Sequence, residues 1–313
     1  MHSNSYISLL LTLTFIACSV GNIKMGNTGG GNIEPTLPPE PPPMNIKVDI
    51  IDKNLKLQNR SMIGDTQLSN MSSASLGSLV IFNMTEMERF GNEVYATNGT
   101  EKGTYLVKDI FPGKGSSDAR SFVRAGKYVY FVANDGVNGF ELWRTDGTNA
   151  GTKLVYDDVN SLDMPSLLTE ARGSLFWVRG GKLFKATGDA VEEVKPFGSS
   201  GFSSINSLTK IISPSGDEYL YLSAGTPEHG IELWRTTGVS NSTRIVADIN
   251  PGTLSSNPSE IKQTTTHVYF KAYHPNSGYE LYAHDIDGTG IVGNGPLFEL
   301  IPGSAPTDVY RGP

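Results

Sequence analysis

From about residue 72 onward the apolar residues fall into short runs of five or six: SLVIF at Ser78, YVYFVA at Tyr128, SLFWV at Ser174, YLYLSA at Tyr219 and HVYFKA at His267. In Tyr128–Ala133 apolar side chains occupy both faces of a period-two ribbon, and Val, Tyr and Phe favour strand, so the pattern predicts strands covered on both sides. Each run precedes a second one: NEVYATNGTEKGTYLVKDIFPG from Asn92, FELWRTDGTNAGTKLVYDD from Phe140, IELWRTTGVSNSTRIVADINPG from Ile231 and YELYAHDIDGTG from Tyr279, with a degenerate KLFKATGDAVEEVKPFG from Lys182. Ser/Pro-rich links close the units: GSSDARSF, NSLDMPSLL, GSSGFSSINSL, SSNPSEI and, at the end, GSAPTDV. One unit therefore reads as link strand, aromatic strand, ELW strand and LVKDI strand, joined by turns that contain glycine.

With Glu93, Glu141, Lys182, Glu232 and Glu280 as anchors the spacings are 48, 41, 50 and 48. Four short strands cannot bury two apolar faces alone. Stacked face to face around an axis they bury one another, and 40 to 50 residues is the size of one such unit. The expected fold is all-β, a β-propeller of about five four-stranded antiparallel blades; a sixth would have to come from 45–69, about half a unit. For ring closure we expect 306–311 to pair beside Leu79–Phe82, which would cover an exposed edge. The alternative is that Ser72–Leu76 supplies that strand and the tail frays.

The segments ELWRTDGTNAGTKLV (Glu141–Val155) and FVANDGVNG (Phe131–Gly139) resemble the ELWxxDGT repeat of exported bacterial proteins, whose units are taken to build propeller-like domains. The resemblance spans about Ser72 to Pro306. It is sharp in the second repeat, good in the fourth, where Thr237 replaces Asp, partial in the first and fifth, and poor in the third. It implies a fold and brings no catalytic residues with it.

Upstream the pattern changes. Tyr6–Ala17 (YISLLLTLTFIA) is an apolar run of twelve, shorter than the ~20 residues of a spanning helix and suited to a signal-peptide core. It ends in Phe15-Ile16-Ala17-Cys18, which resembles the lipobox of bacterial lipoproteins, although Phe15 stands where Leu is commonest and no Lys or Arg precedes the run. That resemblance implies lipidation (palmitate) at Cys18, and Ser19 after it implies sorting to the outer membrane. A stretch rich in Gly and Asn and then in Pro follows, six of the 18 prolines lying between Pro35 and Pro43, and such a composition makes a spacer. The expected organisation is a signal peptide (1–17), a lipidated Cys with tether (18–44), an N-terminal extension (45–71) and the repeat domain (72–313). The expected location is the cell envelope, lipid-anchored at the outer membrane or cell surface.

Composition narrows the chemistry. Cys18 is the sole cysteine, which excludes an intramolecular disulfide, a thiolate zinc cluster and an iron–sulfur site. Lys+Arg 25 against Asp+Glu 32 gives a net charge of −7, unsuited to gripping nucleic acid phosphates. Glycine, 35 of 313 residues, implies many tight turns.

Each candidate motif has a plainer reading. Gly288–Gly293 spells GxGxxG, but its first Gly belongs to the fifth DGT turn, and the helix a dinucleotide site needs is not indicated. Asp285–Gly288 and Asn134–Gly139 resemble calcium loops, yet neither ends in a carboxylate, and Asp-Gly and Asn-Gly are hairpin-turn residues. Glu141, Glu232, Glu280, Asp109, Asp158 and Asp248 recur with the unit, which suggests turn capping, whereas a catalytic pair is built once in an asymmetric pocket. His267, His274 and His284 occupy separate elements of the fifth repeat. Trp143 and Trp234 are repeat-equivalent and read as blade core. This leaves Trp177, in the degenerate third repeat, with Asp157 and Asp158, the extra acidic pair of the second repeat, as ligand-face candidates. No catalytic residue, cofactor or metal is assigned. The expected function is a monomeric, lipid-anchored binding module for a protein or glycan ligand, such as an adhesin. The alternatives are a glycoside- or polysaccharide-active propeller using channel carboxylates, or a purely structural envelope protein.

Overall fold

The structure, a computed structural model, describes residues 72–86, 89–157 and 163–288. Among them the chain forms nineteen strands and one short 3-10 turn. The strands lie in five antiparallel sheets whose neighbours are always consecutive in sequence. Blade 1 is β1 (Ser73–Leu76), β2 (Leu79–Glu86), β3 (Gly91–Thr97) and β4 (Thr104–Lys108). Blade 2 is β5 (Arg120–Ala125), β6 (Tyr128–Asn134), β7 (Phe140–Thr145) and β8 (Lys153–Tyr156). Blade 3 is β9 (Ser166–Ala171), β10 (Ser174–Arg179), β11 (Lys182–Thr187) and β12 (Ala190–Val194). Blade 4 is β13 (Ser204–Ile212), β14 (Glu218–Gly225), β15 (Ile231–Thr236) and β16 (Arg244–Ala247). Blade 5 contributes β17 (Ser259–Gln263), β18 (His267–His274) and β19 (Gly278–Asp285) among the described residues.

The link, aromatic, ELW and LVKDI strands thus follow in the expected order, and the degenerate third repeat still makes a full four-stranded sheet. Successive link strands lie against one another, β1 on β5, β5 on β9, β9 on β13 and β13 on β17, so they form the innermost layer. This is a β-propeller arrangement of five blades.

The core lies between blades. Ile81, Val94 and Ala96 of blade 1 pack on Phe122, Phe131 and Trp143 of blade 2. Leu142 and Tyr130 of blade 2 meet Leu175, Trp177 and Phe184 of blade 3, and Phe176 and Val178 on the other face of blade 3 meet Leu222 and Trp234 of blade 4. Tyr221 and Leu233 then meet Phe270 and Tyr282 of blade 5. Each large side chain so buried contributes about 1.5–3 kcal/mol, so blade-on-blade packing outweighs any single turn contact. The aromatic strands are accordingly buried on both faces, with every residue of β10 buried.

The DGT turns serve the same packing. Gly147 and Gly238 both have φ of 90°, a backbone that favours glycine. Each also seats a neighbour: a Cβ on Gly147 would stand 2.9 Å from Leu79 of blade 1, and one on Gly238 would run into the Phe176 ring of blade 3. Tyr105 of blade 1 donates its hydroxyl to the Gly147 carbonyl at 2.9 Å.

One expectation is corrected. The edge of Leu79–Phe82 is taken by β1, with Ser73 opposite Phe82 and Leu76 opposite Leu79, and β3 holds the other edge. No edge remains there for 306–311, because a two-residue turn lets the preceding segment pair first. Of the stated alternatives, Ser72–Leu76 therefore supplies the strand. Cys18, the tether, the extension 45–71, Asp158 and the tail 289–313 lie outside the described residues.

Candidate functional site

The recurring acidic residues are nearly all engaged in holding the blades. Glu93 is fully buried, and its carboxylate accepts from the backbone N–H groups of Ile110 at 3.0 Å, Phe111 at 3.2 Å and Ser117 at 3.0 Å. Glu232, equally buried, repeats the arrangement with Ile249 at 3.1 Å, Asn250 at 3.3 Å and Ser256 at 2.9 Å, and adds the Ser256 hydroxyl at 2.5 Å. The partners stand 17, 18 and 24 residues downstream in both cases, which fastens the link leading into the next blade. Burial raises both carboxyl pKa values above the ordinary one, and the N–H donors oppose that shift in part.

For Glu141 the positions 17 and 18 residues on lie outside the described residues. The residue 24 positions on is Pro165, which has no N–H to give. Arg179 of blade 3 pairs with it, Nη2 donating to Glu141 at 2.9 Å and Nη1 forming the second bond of the pair, with both side chains about 2% exposed. Glu280 is also buried.

The other acidic motifs close turns. Asp109 accepts from Gly113 N–H at 3.0 Å and Asp248 from Gly252 N–H at 3.3 Å. Asp146 accepts from both the N–H and the hydroxyl of Thr148, at 2.9 and 2.7 Å, which lowers its pKa. Asp135 likewise accepts from Val137 and Asn138 within Asn134–Gly139, and Gly288 N–H reaches Asp285 carbonyl at 3.0 Å. Among the described residues no three His, Cys, Asp or Glu side chains converge as a metal group. Of the fifth-repeat histidines, His284 is buried beside Arg235 of blade 4 at 3.2 Å, while His267 and His274 lie at opposite ends of β18.

Trp143 and Trp234 are core, 7% and 4% exposed. Trp177 is 0% exposed and stacked on Phe184 with centroids 5.4 Å apart. It is therefore core of the blade 2–3 interface, with no face left for a ligand. Asp157 is exposed but follows β8, the outermost strand of blade 2, away from the axial layer.

The residues that do leave chemistry open were not singled out by the sequence. Between the inner strands of blades 4 and 5 lies a cleft of about 340 Å³, at the lower end of the ~300–1,000 Å³ of small-molecule sites. Ser207, Thr209 and Ser223 form its blade 4 wall, and Asn257, Ser259 and Glu260 its blade 5 wall. Ser207 and Ser223 are directly opposed in the β13–β14 ladder. Both hydroxyl oxygens are buried without a hydrogen-bond partner among the described residues, and Ser223 is only 1% exposed. Glu260 sits at the β-bulge of β17 with φ 53°, where the bulges of blades 2 and 3 place Ser121 (φ 57°) and Leu167 (φ 52°). The signal for this site is in the aromatic strands: where blades 2 and 3 have Val132 and Val178, blade 4 has Ser223, with Asn83 and Lys271 at that position in blades 1 and 5.

A second polar group lies where the inner strands of blades 3 and 4 meet. Lys210 binds Glu170 at 2.8 Å and Glu218 at 2.6 Å. An acid–base pair needs one carboxyl kept protonated near neutrality. Here the hydrogen bond from Lys210 pulls Glu218 below its ordinary range.

No protein family and no curated protein matches this chain by sequence. Solved structures that it is similar to include a puromycin hydrolase variant (14% identity, TM-score 0.41, over 77% of this chain and 38% of that one) and a Mycobacterium tuberculosis puromycin-hydrolyzing peptidase (11%, 0.42, 75% and 38%). The β-propeller domain of the trilobed protease from Pyrococcus furiosus matches at 14% identity and TM-score 0.35, over 70% of this chain and 69% of that one. The chain thus spans 38% of the length of the puromycin-hydrolysing enzymes.

Proposed function

We propose that this protein is a membrane-tethered binding propeller that captures a ligand on its axial side without transforming it. One observation carries the reading: the recurring carboxylates Glu93, Glu141 and Glu232 are consumed by blade-to-blade hydrogen bonds, while the axial cleft offers unpaired hydroxyls and one carboxylate, Glu260, among its lining residues. Hydroxyls and a lone carboxylate can bind. Glycoside cleavage needs two carboxyl groups set about 5–9 Å apart across the bond.

The sequence supports the tether. The apolar run, the sole cysteine at its end and the Pro-rich stretch together describe a lipid-anchored domain held away from a membrane. The ligand, a protein or a glycan, would then meet the propeller outside the cytoplasm.

Labelling cells with a palmitate analogue tests the anchor. Cys18→Ala is expected to lose the label and move to the soluble fraction; a variant that remains on the membrane overturns lipidation. A pull-down with the full chain tests binding, and the same preparation incubated with polysaccharides should release no reducing ends. Release would make the protein an enzyme.

A further inference from the structure

We propose that the cleft between blades 4 and 5 seats an uncharged, hydroxyl-rich ring, a sugar residue of the pyranose type. The proposal rests on the binding reading above and assigns its ligand class. The Ser207 and Ser223 hydroxyls are the starting point. Each is buried and unpaired among the described residues, and a buried hydroxyl without a partner is destabilising. Packing does not require them, since blades 2 and 3 fill the position of Ser223 with the buried side chains of Val132 and Val178. Blade 1 has Asn83 and blade 5 Lys271 at this position, so what marks blade 4 is a pair of small hydroxyls directly opposed across β13 and β14 that lines a cleft.

The donor set names the ligand. Ser and Thr hydroxyls donate and accept, and an Asn amide does both from separate atoms, so Ser207, Ser223, Thr209 and Asn257 match groups that also do both. Sugar hydroxyls are such groups. Glu260 supplies an acceptor-only carboxylate, to which two adjacent hydroxyls can donate together. No Lys, Arg or His lines the cleft, which disfavours phosphate, sulfate and uronic acid. Pro258 and Ile261 give the same cleft an apolar patch for the C–H face of a ring.

The fold makes this placement in two steps. Alternation along β14 turns Tyr221 and Ser223 toward blade 5, while Leu220, Leu222 and Ala224 pack on blade 3. The bulge at Glu260–Ile261 then lets Ile261 enter the blade 4–5 core while Glu260 stays exposed, which is how bulges re-aim a side chain.

The test uses the full chain in detergent solution, probed with an array of neutral, amino and acidic glycans and, by calorimetry, with methyl glucoside, methyl galactoside and methyl N-acetylglucosaminide beside glucosamine and glucuronate. At least one neutral glycan is expected to bind saturably. Ser223→Val should weaken it by about tenfold or more, as loss of a hydrogen bond with steric intrusion would, and Glu260→Gln should weaken it too. The unfolding temperature of Ser223→Val should stay or rise, because Val is what two other blades carry there. Neutral-glycan binding that is unchanged in Ser223→Val would move the sugar site elsewhere and overturn the cleft assignment, leaving the binding reading intact. Binding of glucosamine alone, lost in Glu260→Gln, would make this an amine site. An array with no neutral glycan bound, or one led by acidic glycans, overturns the sugar class, and the pull-down then decides the binding reading separately.

Discussion

Blades 1 and 4 gather backbone N–H groups on their anchor glutamates, whereas the anchor glutamate of blade 2 carries a salt bridge from a side chain of blade 3. Glu93 and Glu232 each gather three N–H groups from the link that follows. Glu141 has Pro165 at the last of those positions, the first two lie outside the described residues, and its described partner is Arg179. Arg179 stands at the end of β10, in the degenerate repeat, where β6 has Ala133 and β14 has Ala224. The loss of the ELW motif in blade 3 is thus accompanied by a residue that the other blades lack. A backbone cage keeps its geometry whatever the link side chains are, apart from proline; a salt bridge needs two particular residues, and both must be right.

The largest effect should come from breaking a cage. Glu232→Ala leaves the N–H groups of Ile249, Asn250 and Ser256 without their carboxylate in a buried site, an expected loss of about 4–6 kcal/mol, readable from the urea midpoint. A loss under about 2 kcal/mol would mean that the cage contributes little. Next comes the salt bridge. Arg179→Leu strands a buried Glu141 and should cost about 3–5 kcal/mol, while the double variant Glu141→Leu with Arg179→Leu should return to within about 1 kcal/mol of the parent or exceed it. No second substitution can rescue Glu232→Ala in that way, because three of its partners are main chain and only the Ser256 hydroxyl is a side chain. A double variant as unstable as the single one would erase the distinction.

The smallest effect is in titration. Carbon-detected NMR of the side-chain carboxyls should place Glu93 and Glu232 above the ordinary glutamate range and Glu218 below it. The consequences for stability are opposite. A raised carboxyl binds its proton more tightly when folded, so its contribution declines as pH climbs from the unfolded value through the folded one. A depressed carboxyl, as at Glu218, contributes above the unfolded value and loses that contribution as pH falls through the folded one. The depressed carboxyl acts below the unfolded glutamate value and the raised ones above it, so thermal scans should show stability rising and then falling with pH through that value, and Lys210→Met should flatten the acid-side rise.

The fold was legible because it is written five times. Strand order, the ~47-residue spacing and the burial of Trp143 and Trp234 all follow from comparing one unit with the next. The cages were half legible: the link serines were visible, but Ser117 and Ser256 act on a glutamate 24 residues upstream, and no local pattern encodes that distance. Trp177 shows the opposite hazard. Lying in the blade with the weakest consensus, it drew attention as a surface residue, yet alternation along β10 turns it into the blade 2–3 core as surely as Phe131 is turned into the blade 1–2 core. Ser223 was in plain view between Leu222 and Ala224. A lone serine in an apolar strand gains meaning only once its neighbours across the sheet and the next blade are known to leave its hydroxyl unpaired.

The 24-residue reach of the anchor glutamates also sets an order in time. Each sheet is a meander of consecutive strands, so its internal pairing can form quickly, with little loop entropy to overcome. Its carboxylate cannot be capped until the next link has appeared: Glu93 waits for Ser117, and Glu232 for Ser256. A chain emerging from its amino end would therefore fold as a ratchet, one unit behind its own synthesis or passage, each new link locking the blade before it. Along that path the newest blade is the exposed one, carrying an unlatched glutamate and a bare apolar face until its successor arrives.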